Sequence, residues 1–409
     1  MKSILQKILF ISLLFSAVVP ATMQASWLSW VSKDTAKKII EGIKSFSKDH
    51  PFMVGGTIVA TLGLLKLYKS RSKEKPDGFK ELPDDQKLPI VYHEGYNIGF
   101  FGLENFHPFD SKKYRKIYKY LVENAGIHKN RFYAPKEVAD EELRKVHSKE
   151  YLTKLRDSAS ATFAWISEIP PVWLLPNFIT REKALKPMRL ATGGTVKATE
   201  LARKHGWAIN LSGGYHHAKR DEGSGFCAYA DIPLAAHNVL EKNPNAKIMI
   251  VDLDAHQGNG HEAILGPDKR VTIFDVYNGT IYPQDHQVKR YIKFDYPVKS
   301  HIQDNAYLKI ISEKLPEAID TVNPDLIIYN AGTDIFEKDP LGQMGISKDG
   351  IKKRDEFVFN QALSKKIPIV MVLSGGYTKE SGGIIGKSIE NLIKNVIPRY
   401  KPKVKQHIS

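Results

Sequence analysis

The segment VDLDAHQGNGH (251–261) carries the strongest chemical signal in the chain. Asp254 and His256 stand one residue apart, so on an extended segment their side chains share a face. At a strand end they can converge on one cation. Alone, an Asp-x-His pair is more often a surface or capping pair. A third ligand from another strand changes that reading, and Asp334 in YNAGTD (329–334) is the candidate. Three ligands and one open position is the arrangement of catalytic zinc. Cys227 is the only cysteine, which excludes thiolate clusters and internal disulfides. Asp and His ligands suit Zn2+, and Fe2+, Mn2+ or Co2+ could also sit there. The reading requires the carboxylates of residues 254 and 334 to lie within about 6 Å, because each ligand sits about 2.0–2.2 Å from the ion. Asp252, two residues back on the same face, is expected to accept a hydrogen bond from a histidine. Backbone carbonyls near it could hold a monovalent cation.

Hydrolysis at such a metal needs a base for water and an acid for the leaving group. His216 and His217, in LSGGYHH (211–217), have the right pKa for both tasks near neutrality. Adjacent side chains diverge, so both reach one site only from an irregular turn, which Gly213 and Gly214 permit. Tyr377, in SGGY (374–377), sits on a second glycine-rich turn, where its hydroxyl can donate to a carbonyl oxygen as charge develops. A lone tyrosine is otherwise a core residue with a hydrogen-bonded tip. GSGF (223–226) is no complete dinucleotide fingerprint, and the pair Gly193–Gly194 lacks a phosphate-loop Lys-Ser/Thr, so nucleotide binding is rejected.

The elements that would position these groups are near-continuous apolar runs: WAINL (207–211), AKIMIVDLD (246–254), RVTIFDVY (270–277), DLIIYNAG (325–332) and IPIVMVLSGG (367–376). Such runs suit strands buried on both faces of a parallel sheet. Helical stretches such as AYADIPLAAHNVLEK (228–242) and NAYLKIISEKLPEAIDTV (305–322) separate them. The alternation predicts a three-layer α/β/α fold with a central, mainly parallel sheet. Four strand ends each deliver a reactive side chain, and the ligand crevice of an open α/β sheet lies outside those ends.

The blocks SGGYHHAKRDEGSGFCAYADI (212–232), VDLDAHQGNGH, YNAGTDIFEKDPLG (329–342) and SGGY together resemble the histone deacetylase family of the arginase/deacetylase fold. GYNIGFFGLENFHPFD (95–110) and SEIPPVWLLPNF (167–178) make class IV the nearest relatives. The resemblance spans about residues 88–398. It implies Zn2+ held by Asp254, His256 and Asp334, with Asp252 supporting His216. His217 would act as general base and acid, and Tyr377 would polarise the amide carbonyl. Gly225, Phe226 and Tyr282 would line an acyl tunnel, with Leu341 near its floor. A structural K+ would lie near Asp252, Asp254, His256, Asp275 and Val276. The acid that partners the second histidine in many members is Asn259 here, and the rim aspartate that grips substrate backbone in other classes has no clear match, Glu168 being nearby in sequence. The implied substrate is an acetylated or fatty-acylated lysine of a peptide or protein. A polyamine-type acylamine is the alternative, and a catalytically silent acyl-binding protein is the alternative from another class.

Composition is that of an ordinary globular protein, not a disordered or fibrous one: 409 residues, 42% hydrophobic and 26% charged, with a net charge of +15. The basic excess sits mainly in the two ends, +6 over residues 1–90 and +5 over 387–409. No nucleic-acid motif accompanies it, so no direct nucleic-acid binding is expected. Residues 1–25 read as a signal peptide or signal anchor, 51–68 as a short candidate transmembrane helix, 69–87 as a basic linker and 88–400 as the catalytic domain. A membrane-associated or exported protein is the resulting expectation.

Overall fold

The computed structural model describes residues 82–99 and 110–400. Seven strands form one sheet: β1 (Ile90–Val91), β2 (Trp207–Asn210), β3 (Ile248–Asp252), β4 (Val271–Asn278), β5 (Phe294–Val298), β6 (Leu326–Asn330) and β7 (Ile369–Val372). All pairings are parallel, in the order β1-β2-β7-β6-β3-β4-β5. The longer helices are α1 (Lys113–Glu123), α2 (Lys149–Asp157), α3 (Ala159–Ser167), α4 (Lys186–His205), α5 (Asp231–Lys242), α6 (Asn259–Leu265), α7 (Asp304–Val322), α8 (Lys348–Ser364) and α9 (Ser381–Asn391).

The apolar runs explain the layering. Strand side chains alternate between faces, and each face here has its own core. Met249, Val251, Ile327, Tyr329, Ile369 and Met371 pack on one side with α1, α7, α8 and α9. Ile248, Ile250, Leu326, Ile328, Val370 and Val372 pack on the other with parts of α4 and α5. The three-layer α/β/α reading therefore holds, and the five strands read from the sequence correspond to β2, β3, β4, β6 and β7. The edge strands β1 and β5 were not legible: β1 is two residues long, and β5 is mostly half-exposed and contains Pro297.

Topology sets the position of the site. From β3 the chain builds outward through β4 and β5, then returns to lay β6 and β7 on the other flank of β3. The order reverses between β3 and β6, and the carboxyl ends of strands at such a reversal open a crevice. Asp252 and Asn330, the last residues of β3 and β6, pair in register, and Asp275 on the longer β4 stands level with them.

One expectation is corrected. Among the described residues no helix is long and apolar enough to cross a membrane, so the structure gives no support to a membrane-associated or exported location. The segments that suggested it, 1–25 and 51–68, lie outside the described residues, as do residues 69–81 of the basic linker.

Candidate active site

The end of β3 and the loop after β6 bring the three expected ligands together. One donor atom each from Asp254, His256 and Asp334 lies within 4.8 Å of the others, and all three residues are buried. His256 Nδ1 stands 2.9 Å from Asp334 Oδ2 and 3.1 Å from Asp254 Oδ1. Backbone N–H groups aim both carboxylates. Gly375 donates to Asp254 Oδ2, His256 to Asp254 Oδ1 and Ala255 to Asp334 Oδ1, each at 2.9 Å. Gly375 is required here, because a Cβ would strike both Asp334 Oδ2 and Asp254 Oδ2.

The electrostatics fit a cation. Burial and the charge of Asp254 push the Asp334 carboxyl up to about 7. Burial disfavours a charged His256, yet its hydrogen bonds to Asp254 and Asp334 raise it to about 10. Two buried carboxylates this close demand a positive charge beside them. A divalent ion bound by one imidazole and two carboxylates supplies it, so the donor set fits Zn2+.

The tandem histidines lie beside this cluster. His216 Nδ1 is 3.0 Å from Asp252 Oδ2, and despite burial Asp252 and Asp254 raise its pKa to about 9. The His217 ring lies 4.1 Å from that of His216, centroid to centroid. Burial, then the neighbouring His216 and His256, hold His217 well below the usual histidine range. His217 is thus a neutral imidazole, able to accept a proton. Its Nδ1 meets Asn259 Oδ1 at 2.8 Å, which leaves Nε2 for chemistry.

A cavity of about 340 Å³ opens onto these groups, lined by Gly225, Phe226, Tyr282, Leu341, His217, His256 and Tyr377 among others, with Glu168 also in its wall. The expected tunnel residues therefore share one cavity with His217 and Tyr377, whereas His216, Asp252 and Asn259 are not among its lining residues. Tyr282 packs edge-on against His217 at 5.0 Å. Gly225 adopts a positive φ of 51°, and a Cβ there would collide with the His217 ring. Asp275 on β4 pairs in register with Asp252 on β3, and Val276 follows it in β4.

Comparison with known proteins decides the family. Residues 107–395 match the histone deacetylase domain, and the chain is 45% identical over 317 residues to Histone deacetylase 2 of Arabidopsis thaliana, covering 78% of this chain and 81% of the relative. The chain belongs to the histone deacetylase family. Human Histone deacetylase 1 is 27% identical over 303 residues, 71% of this chain and 61% of that protein. The crystal structure of the HDA15 HD domain shares the fold, with a TM-score of 0.63 over 78% of this chain and 91% of that one at 21% identity. As a family member, this chain is a hydrolase of the deacetylase type.

Several residues that hold this deacetylase site together escaped the sequence reading. Asp231, first residue of α5, receives the N–H groups of Gly214 and Tyr215 at 2.8 Å each and so fixes the turn that presents the histidines. Asn330 donates to Asp252 Oδ1 at 2.9 Å. Asp339 accepts from the N–H groups of Tyr377 and Leu341 at 2.8 and 3.0 Å, coupling the tyrosine turn to the cavity floor. The buried Lys113 ammonium donates to the carbonyls of Ser374 and Gly375. Arg354, fully buried, donates to the carbonyls of Leu253 and Gly332. Asp231 and Asp339 lay inside the matching blocks, but the bonds that reach the catalytic turns, from Asp231 to Gly214 and Tyr215 and from Asp339 to Tyr377, join residues distant in sequence, which no local pattern reveals.

Proposed function

We propose that this deacetylase removes acetyl or long-chain fatty acyl groups from lysine side chains, with Zn2+ held by Asp254, His256 and Asp334. The observation that carries the reading is the convergence of those three donors at the cavity that also holds His217 and Tyr377. A zinc ion held by those three residues would supply polarisation of the amide carbonyl and acidification of water. His217, held neutral and with its Nδ1 proton engaged by Asn259, takes a proton from the attacking water at Nε2 and returns it to the departing lysine amine. The Tyr377 hydroxyl donates to the carbonyl oxygen as it gains negative charge. Burial first, and then the neighbouring His216 held charged by Asp252, keep His217 from protonating beforehand. Phe226 and Tyr282 flank the acyl-lysine stem, and Glu168 can accept from the substrate backbone at the rim. A structural K+ near Asp252, Asp254, His256, Asp275 and Val276 would add positive charge behind the ligands. Support for a cation there is the approach of donor atoms of Asp252, His261 and Asp275 within 4.8 Å.

The test compares acetyl-lysine peptide, myristoyl-lysine peptide and acetylspermidine with zinc-loaded enzyme. The proposal expects turnover of a lysine peptide. Tyr377→Phe should lower kcat about 10²–10³-fold and His217→Ala about 10²–10⁴-fold, each with zinc retained. Hydrolysis of acetylspermidine alone would move the substrate to small amines, and full activity of either variant would remove that residue's role.

A further inference from the structure

Asn259 stands where a carboxylate would hold His217 without ambiguity. An amide has two ends. Only when Oδ1 faces His217 does the imidazole keep its proton on Nδ1 and present a free Nε2. Rotated by half a turn, Asn259 would offer N–H to Nδ1 and stabilise the opposite tautomer, which cannot accept a proton at Nε2. Something must choose between the two. Asn259 Nδ2 points at Asp285 Oδ2, 3.4 Å away. A carboxylate only accepts, so the flipped amide would set oxygen against oxygen. Lys219 Nζ lies 2.9 Å from the same Oδ2. Burial opposes ionisation of Asp285, but Lys219 and Asn259 hold its pKa below the usual value. Asp285 is itself anchored at its backbone. Its N–H donates to Gln257 Oε1 at 3.0 Å and its carbonyl accepts from Gln257 Nε2 at 3.1 Å. Gln257 directly follows the ligand His256.

We propose that Asp285 is a positioning residue that, through the Asn259 amide, sets the tautomer of the His217 base. Asp285 is not among the residues that line the cavity. It supplies, one residue further out, the orienting charge that Asn259 lacks. The inference rests on the assignment of His217 as the base.

All variants are made in a Lys219→Met background, since Lys219 would otherwise keep the new amide's oxygen turned to Asn259; there Asp285→Asn removes the constraint while keeping shape, because an amide accepts or donates equally well. Expected for Asp285→Asn is a fall in kcat of about 10- to 100-fold on the acyl-lysine peptide, with KM and zinc content unchanged. Adding Asn259→Asp to Asp285→Asn restores an acceptor-only partner for His217 and should recover most of kcat. In a His217→Ala background Asp285→Asn should cost nothing more. Nitrogen-15 shifts of labelled histidine read the tautomer without any substrate: His217 carries its proton on Nδ1 in the parent chain and shifts towards Nε2 in Asp285→Asn. Should that variant not fold, Asp285→Ser poses the same ambiguity with a smaller group. An unchanged kcat together with an unchanged tautomer overturns the proposal. So does a loss that Asn259→Asp fails to rescue and that is matched by lost zinc or melting temperature. If the enzyme hydrolyses no acyl-lysine at all, the functional reading fails, while the nitrogen-15 measurement still decides the role of Asp285.

Discussion

Acidification should reach the histidine turn through a residue outside the catalytic cavity. His147 is buried, and its Nε2 accepts the Ala230 N–H at 2.9 Å. Ala230 precedes Asp231, whose carboxylate holds Gly214 and Tyr215. His147 thus stands at the start of a chain of bonds that ends at His216 and His217. Burial pushes its pKa down to about 4, against about 6.5 in an unfolded chain. Above pH 6.5 both states carry a neutral ring and the stabilisation is fully present. Below 6.5 the unfolded chain binds a proton that the fold refuses, so stability falls, and the loss is complete near pH 4. The gap of roughly 2.5 pKa units corresponds to about 3 kcal/mol, and about 2 kcal/mol is already lost at pH 5. Urea unfolding at pH 7, 6 and 5 measures this, with His147→Gln as the reference, since Gln can accept from Ala230 but does not titrate. Other titrating groups are common to both chains, so the difference isolates His147. The parent should lose about 2 kcal/mol more than the variant between pH 7 and 5. Parallel pH profiles would refute the reasoning.

Arg354→Met should destabilise the fold by about 3–5 kcal/mol in urea titrations, because it strands Asp355, 2.9 Å from the guanidinium, without its buried partner. Gly225→Ala forces a positive φ on a residue with a Cβ and drives that Cβ into the His217 ring. Steady-state kinetics should show kcat lower by about tenfold or more, since a misplacement near 1 Å costs about 10²-fold, while zinc content stays at parent level. Asp231→Ala leaves the Gly214 and Tyr215 N–H groups without their acceptor, a loss of about 1–3 kcal/mol each in thermal or urea unfolding.

Sequence and structure agree where chemistry and local pattern coincide. The continuous apolar runs marked the five strands that are buried on both faces, and reactive side chains at their ends pointed to one sheet edge. The convergence of Asp254, His256 and Asp334 was legible because the metal ligation proposed for them would restrict residue type and spacing. Edge strands were not, since β1 has only Ile90 and Val91, and β5 is a run of mostly half-exposed positions with a proline, which resembles a loop. Asp231 looked like an ordinary start of a helix. Arg354 sat in the charged stretch KDGIKKRDEF (348–357), where its neighbours Lys352 and Lys353 face solvent, and only packing buries it. Asp285 fell in a polar loop, and its meaning depends on the side-chain amide of Asn259, 26 residues away.

The account rests on one ion held between two strand ends. Metal analysis of the purified protein, paired with Asp334→Asn, tests it most directly. The account predicts one zinc bound by Asp254, His256 and Asp334 per chain, lost together with deacetylation in the variant. Hydrolysis by a zinc-free parent, or full zinc content and full activity in Asp334→Asn, would contradict it.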